Sequence, residues 1–352
     1  HSENFQALNL LLDRYREQVK CVYIDPPYNS QFSEVLYKNE YKHATWITMM
    51  ANRLNISLDM GKNNIVQVVA IDENEQERLG LLLSDIYANN NIACITVVHN
   101  PGGTMGDNFA YTHEYAYFIY ARQGRQIGLE NRTESADIRS FMNTAKGNTT
   151  NYLRSSGANC FYPIFVKDNT IIGFGDVCND DYHPSANVIN DKGILEIYPI
   201  DNDGVERKWV FARQTVEGII DDLEVRFNKG RKIYEVIRKK EHLNYKTVWS
   251  EKLYNAKIYG TQLLNSIIGL EGDVFGFPKS LYLVMNCIKA AINADSSPLV
   301  MDYFAGSGTT GHAVINLNRE DDGKRKYILV EMGDYFDTVL KPRISKVVYS
   351  KD

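Results

Sequence analysis

The chain lacks the cysteine and histidine patterns that mark disulfide scaffolds and metal centres. Its five cysteines (Cys21, Cys94, Cys160, Cys178 and Cys287) are odd in number, scattered, and never spaced as CxxC. Free thiols in a reducing compartment, the cytoplasm, are therefore expected. The seven histidines form no HxxxH pair, so no metal site is expected. No apolar run approaches the roughly 18–20 residues that a membrane helix needs. The opening HSENFQALNLLLDRY has no basic segment followed by an apolar one, so neither a membrane span nor a signal peptide is expected. Repeats and low-complexity tracts are missing too. There is no overall excess of positive charge, the net charge being −5. What is present is the composition of a globular protein, 44% hydrophobic and 24% charged, in 352 residues, enough for two domains.

The apolar spacing predicts a helix over 5–17, with Ser2 as its cap, then a strand VKCVYI ending in DPPYNS. A helix over 44–60, a strand over 64–72, a helix over 73–87, and strands over 92–100 and 111–122 follow. Strands alternating with helices predict a parallel sheet covered on both faces. From residue 123 the chain turns polar, and 161–215 reads as short strands, with Asp203-Gly204 suited to a hairpin turn. Between Val225 and Lys257 ten Lys/Arg face three Glu, interleaved with Tyr234, Tyr245, Trp249 and Tyr254; such a stretch suits phosphates and bases, or else a solvated helix face. The α/β pattern then returns, with a helix over 277–293, a strand PLVMDYF, a turn AGSGTT, a helix GHAVINLNR, a strand over 324–332 and a last helix. The domain expectation is thus 1–122 and 270–352 as two pieces of one doubly wound sheet, with 123–269 inserted.

MDYFAGSGTTG reads as strand, glycine turn and helix. Gly306 and Gly308 let the backbone turn tightly and approach a ligand. Glu331, 23 residues past Gly308 at the end of the next strand, can accept both hydroxyls of a ribose. The pattern fits a nucleoside-containing cofactor. Gly306, Gly308 and Gly311 also satisfy the dinucleotide fingerprint. Only 44 residues follow Gly308, however, and a nicotinamide cofactor leaves DPPY unexplained.

If the DPPY strand lies beside the glycine strand, Asp25, Pro26, Pro27 and Tyr28 face the reactive end of that cofactor, because ligands of open α/β sheets sit beyond the strands' carboxyl ends. An exocyclic base amine is a poor nucleophile, its lone pair being delocalised into the ring. The Asp25 carboxylate and the Pro26 carbonyl can accept its hydrogens and stabilise charge developing on nitrogen. Pro26 and Pro27 stiffen the backbone, and Tyr28 offers a face on which an extruded base stacks. Two weaker candidates are His113-Glu114 at a strand start and Asp72-Glu73 at a strand end.

CVYIDPPYN followed far downstream by MDYFAGSGTTGHA resembles the β arrangement of the DNA amino-methyltransferases, in which the catalytic motif precedes the S-adenosylmethionine (AdoMet) motif and the target-recognition region lies between them. TWITMMANRL, VVAIDENE, GDVFGFPKSLYLVMNCIKAA and RKYILVEMGDYFDTVLKPRISKVVYS are similar to the Mod subunits of type III restriction–modification systems. The resemblance implies a Rossmann-like, doubly wound, mostly parallel methyltransferase sheet with circularly permuted motif order and an inserted mixed-β target-recognition domain. It also implies an AdoMet site at Phe304, Gly306, Ser307, Gly308 and Thr309. Asp302 would meet the methionine amino group, Glu331 the ribose, and Phe277, Lys279 and Ser280 would lie over the cofactor, the last two near its carboxylate. Asp rather than Ser at the head of DPPY resembles the adenine-N6 enzymes. Double-stranded DNA, a second copy of the chain and an ATP-dependent Res subunit are the implied partners. Members of the family are typically longer, so the chain is expected to be a fragment. A cytosine-N4 or RNA amino methyltransferase, or a dinucleotide-dependent oxidoreductase, remains the alternative.

Overall fold

The computed structural model describes residues 1–29, 42–106, 108–131, 137–145, 150–269 and 275–350. Of the segments quoted above, Ser30 and residues 272–274 lie outside these. The chain forms two compact units, His1–Leu129 with Asn244–Asp352, and Glu130–Leu243.

The first unit is built on seven strands: β1 (Val19–Ile24), β2 (Gly61–Ile71), β3 (Asn90–Val98), β4 (His113–Ala121), β5 (Val248–Trp249), β6 (Leu299–Asp302) and β7 (Lys326–Leu329). Their spatial order is β5-β3-β4-β2-β1-β6-β7. β1 is buried at all six positions because it is central, pairing in parallel with β2 on one side and β6 on the other. Its side chains alternate between two cores. Val22 and Ile24 pack with α1 (Asn4–Tyr15), α2 (Lys42–Met60) and α3 (Gln76–Ile86), whereas Cys21 and Tyr23 pack with α4 (Leu281–Ile292) and α5 (Thr309–Asp321). A last helix, α6 (Lys341–Tyr349), follows a wide helical turn at Phe336–Leu340.

The sheet is mixed around a largely parallel core. β4 runs antiparallel to both β2 and β3, with Ile71 opposite Tyr115 and Val97 opposite Glu114. The core is mostly parallel as expected, and β4 departs from that direction because, among the described residues, no helix connects β3 to β4. The link carries only a two-stranded ribbon, Thr104–Met105 with Ala110–Tyr111, and a helix-free return gives antiparallel pairing. Two helix starts also differ. The α1 cap is Glu3, not Ser2, its carboxylate accepting from the Gln6 N–H at 2.9 Å. The helix expected from 277 begins at Leu281, with Ser280 as its cap.

The expected insertion, 123–269, is wider than the second unit. Gly128 donates its N–H to the Ala290 carbonyl, and β5 pairs with β3, so the chain on both sides of Glu130–Leu243 belongs to the large sheet. The second unit is β-rich, with antiparallel pairing in place of the expected mixed pairing. It holds a four-stranded sheet (Thr170–Phe174, Ile164–Lys167, Leu195–Ile197, Asn187–Ile189) and a three-stranded one (Leu223–Asn228, Ile233–Lys240, Asp137–Ser140), both antiparallel. Phe141, Tyr162 and Trp209 are central to its core. The Asp203-Gly204 turn is present, with Gly204 at φ +75° and Ile200 bridging Glu206. Among the described residues all five cysteines are free, no helix is long and apolar enough to cross a membrane, and no cluster of metal-ligating side chains occurs.

Leu54 is fully buried in the α1–α3 core. Leu54→Ala is expected to lower unfolding stability by about 2–5 kcal/mol through lost transfer energy and a cavity. Chemical denaturation checks this, and a loss well under 1 kcal/mol would contradict the packing described.

Candidate active site

Parallel pairing of β1 with β6 sets Val22 opposite Met301. Continuing that register carries Asp25-Pro26-Pro27-Tyr28 and Phe304 to the same end of adjacent strands. The DPPY segment is fixed by its neighbours. The Trp46 indole N–H donates to the Pro27 carbonyl at 2.6 Å. Asn29, in the left-handed region at φ +57°, donates to the buried Glu75 at 2.7 Å, and His43 binds the same carboxylate. Among the described residues none donates to the Pro26 carbonyl.

The glycine turn follows β6. Gly306 (φ +51°) and Gly308 (φ +81°) both lie in the left-handed region that favours glycine. A Cβ on Gly308 would also stand 3.2 Å from Leu340. Asp302 is buried beneath this turn, accepting from the Phe304 N–H at 2.9 Å and the Thr310 hydroxyl at 2.5 Å. Burial pushes its carboxyl up to about 7 despite those two donors, and Asp25 and Glu331 add to the rise. Glu331 clasps the turn, taking the Gly306 N–H at 2.8 Å and the Met332 and Gly333 N–H groups on its other oxygen. Ser307 is buried, and so is Thr309, which opens α5; Phe304 is half-buried against the α1–α3 core.

Lys279 and Ser280 do not reach the glycine turn. Ser280 caps α4 and donates to the Leu253 carbonyl at 2.7 Å. The Lys279 ammonium donates to the Tyr28 hydroxyl at 2.5 Å, pairs directly with Glu114, and stands 3.6 Å from Asp25. Phe277 is 82% exposed; Phe275 is the ring of that segment beside the turn, 3.3 Å from where a Gly306 Cβ would lie. Glu114 opens β4, and because β4 is reversed its first residues share the rim with the last residues of β2 and β3.

These charges act on one another. The Asp25 side chain is 27% exposed. Burial raises its pKa, Lys279 pulls it down, Glu114 pushes it up, and the net shift is upward. For Glu114 burial also works upward, but Lys279 and then His99 outweigh it and hold the carboxyl below its ordinary range. Burial works against the Lys279 ammonium, yet Asp25 and Glu114 win and its pKa is raised.

Three features of the site are invisible to the motif reading. Arg343 of α6 is fully buried beneath the glycine turn, donating to the Ser307 and Thr309 hydroxyls, both at 2.9 Å; burial pushes it down to about 9. Gly260 packs so tightly on the Lys279 segment that a Cβ there would lie 2.1 Å from the Pro278 carbonyl oxygen. The aromatic residues of the basic stretch are core: Trp249 and Tyr254 are buried and Tyr245 packs beside them. Within it Arg231 pairs with Glu235, Arg238 with Asp222 and Lys239 with Glu241, and the stretch is split between the two units. Asp72 accepts from the Asn74 N–H in a turn rather than capping α3, and His113 binds the Tyr115 hydroxyl.

The folded-state pKa of Asp302, about 7, exceeds its ordinary 3.8, so the folded protein binds more protons between those values and loses stability as pH rises through them. Asp302→Asn is expected to raise the melting temperature at pH 8 and to flatten its fall between pH 4 and 7. A variant with the wild-type pH slope would contradict the burial of that charge. Gly260→Ala is expected to destabilise the fold by at least about 1 kcal/mol, since backbone atoms must move; a neutral effect in thermal unfolding would contradict the close approach.

Known proteins resemble the chain over most of its length. The chain is 27% identical to the EcoPI Mod subunit of a type III restriction–modification enzyme from Escherichia phage P1, over 94% of this chain and 56% of the relative. It is 28% identical to the type II methyltransferase M.KpnI of Klebsiella pneumoniae, over 94% and 79%, and 23% identical to the EcoP15I Mod subunit of Escherichia coli, over 94% and 58%. The chain thus spans little more than half the length of the Mod subunits it matches. Solved structures that superpose on it include M1.HpyAVI with SAM, at 14% identity and TM-score 0.42 over 98% of this chain and 96% of that one. The cytosine-N4-specific PvuII DNA methyltransferase superposes at 10% identity and TM-score 0.47, over 98% and 85%. The model of the N6_N4 DNA methylase family matches residues 19–341, and the chain belongs to that family.

Proposed function

We propose that the chain is the methyltransferase core of a restriction–modification enzyme, transferring a methyl group from AdoMet to adenine N6 in double-stranded DNA. The observation that carries this reading is the pairing of β1 with β6, which sets a rigid carboxylate–carbonyl pair beside a glycine turn and an acidic strand end. The strand order about β1 fits a Rossmann-like sheet with permuted motifs.

The residues fit the cofactor. Asp302 and Asp25 are carboxyls whose ionisation the site disfavours, and a ligand carrying an ammonium and a sulfonium relieves that cost. Asp302 would take the amino group, Glu331 the ribose, and Gly306, Ser307, Gly308, Thr309 and Phe304 would line the rest. When bound, AdoMet supplies an electrophilic methyl group on sulfur. Asp25 and the Pro26 carbonyl accept the two N–H bonds of the target amine, localise its lone pair and stabilise charge as the N–C bond forms. As the amine nitrogen takes the methyl group it would shed one proton to solvent, and Asp25 and the Pro26 carbonyl would hold it in place meanwhile. Tyr28 gives the flipped base a stacking face, worth roughly 1–3 kcal/mol.

Asp at the head of DPPY supports adenine over cytosine. The Glu130–Leu243 unit is the proposed reader of the target sequence. A second copy of the chain and a Res subunit are proposed partners, because several relatives are named Mod subunits, and a DNA substrate supports the cytoplasm as the proposed compartment.

Labelled AdoMet with duplex DNA carrying varied sites tests the reading, with N6-methyladenine expected after hydrolysis; N4-methylcytosine would overturn the choice of base. Asp25→Ala is expected to lower transfer by at least about a hundredfold while AdoMet affinity stays within about threefold. Retained turnover would overturn the role of Asp25.

A further inference from the structure

Glu114 lies outside the DPPY and glycine motifs, yet its side chain, 4% exposed, sits at the centre of the charged rim. Its carboxylate binds the Lys279 ammonium directly and accepts from the Tyr28 hydroxyl at 3.3 Å. The same ammonium stands 3.6 Å from Asp25, beyond hydrogen-bond length but well within strong Coulomb range. A lysine released from Glu114 would close on Asp25. A charge-assisted bond of that kind is roughly twice as strong as a neutral one, so a base amine would compete poorly for the oxygens it occupied.

We propose that Glu114 is a positioning residue for methyl transfer: it holds the Lys279 ammonium beside the Asp25 carboxylate but off it, leaving Asp25 free to accept the target amine. The inference rests on the amino-methyltransferase reading and deepens it. It assigns Lys279 to the catalytic carboxylate rather than to the cofactor's carboxylate. The arrangement depends on the reversed strand β4, which delivers Glu114 to the rim, and on Gly260, which lets the Lys279 segment approach.

The pH dependence of transfer separates this role from structural support. Among the described residues the groups facing Asp25 are Lys279, Glu114, Tyr28 and Tyr23. Asp302 lies on the neighbouring strand, and His99 stands behind Glu114. Lys279 favours ionised Asp25 and Glu114 opposes it, so the two substitutions shift the acid limb in opposite directions. In the full-length protein, Glu114→Gln is expected to lower kcat by at least about tenfold, with AdoMet affinity within about twofold and the acid limb moved to lower pH. Lys279→Met is expected to move that limb to higher pH. In the double variant the two losses do not multiply, because Glu114 acts through Lys279.

A Glu114→Gln enzyme with wild-type kcat, an acid limb moved upward, or losses that multiply would overturn the proposal while leaving the functional reading intact. Should Glu114→Gln fail to fold, a Lys279→Met profile that superimposes on wild type overturns it alone. A wild-type protein that transfers no methyl group to any DNA sinks both.

Discussion

The site depends on one pairing, the parallel alignment of β1 with β6. Where Val22 lies opposite Met301 and Cys21 opposite Val300, the paired residues are 279 apart in the chain. Everything chemical at the rim follows from it. Each strand ends on an acid, Asp25 just past β1 and Asp302 at the end of β6, and each then turns sharply, one through two prolines and the other through two glycines in the left-handed region. Burial on both faces fixes the register, because a slip by one residue would exchange the cores of Val22 and Cys21.

Among the described residues around that pairing, the rim carries more buried acid than cations to neutralise it. Lys279 serves Glu114 and Asp25 together, and Asp302 has only a hydroxyl and a backbone N–H. The deficit is local. Behind the glycine turn the imbalance reverses, where Arg343 is buried with hydroxyl partners and His312 beside it is pushed down to about 3 by burial and by Arg343. A ligand with positive charge toward the carboxylates and a negative group toward the turn would relieve both sides.

Much of this was legible in the sequence, for physical reasons. Buried parallel strands are continuous apolar runs, so VKCVYI and NIVQVVAI announce themselves, and the turns that follow need residues with restricted or unusual backbone angles. Strand direction is different: HEYAYFIYA carries no mark of its reversal, which follows from the missing helix before it. The path of the Lys279 loop is not legible in its own residues, because it is set by Gly260, nearly twenty residues earlier, through a contact between backbones. Tyr245, Trp249 and Tyr254 read as a surface because β5 is only two residues long, too short for periodicity to show that it joins the sheet. Arg343 gave no signal at all; a charge on the last helix looks solvated until its burial is seen.

The central claim is that a methyl donor and a base amine meet in front of Asp25. A crystal structure of the protein with AdoMet bound tests it most directly. The account predicts the ribose at Glu331, the amino group at Asp302, and the sulfonium methyl directed at the space before the Asp25 carboxylate and the Pro26 carbonyl. AdoMet seated elsewhere, for instance in the cavity of about 380 Å³ lined by Lys20, Arg125 and Asp295 at the opposite ends of the strands, would contradict it.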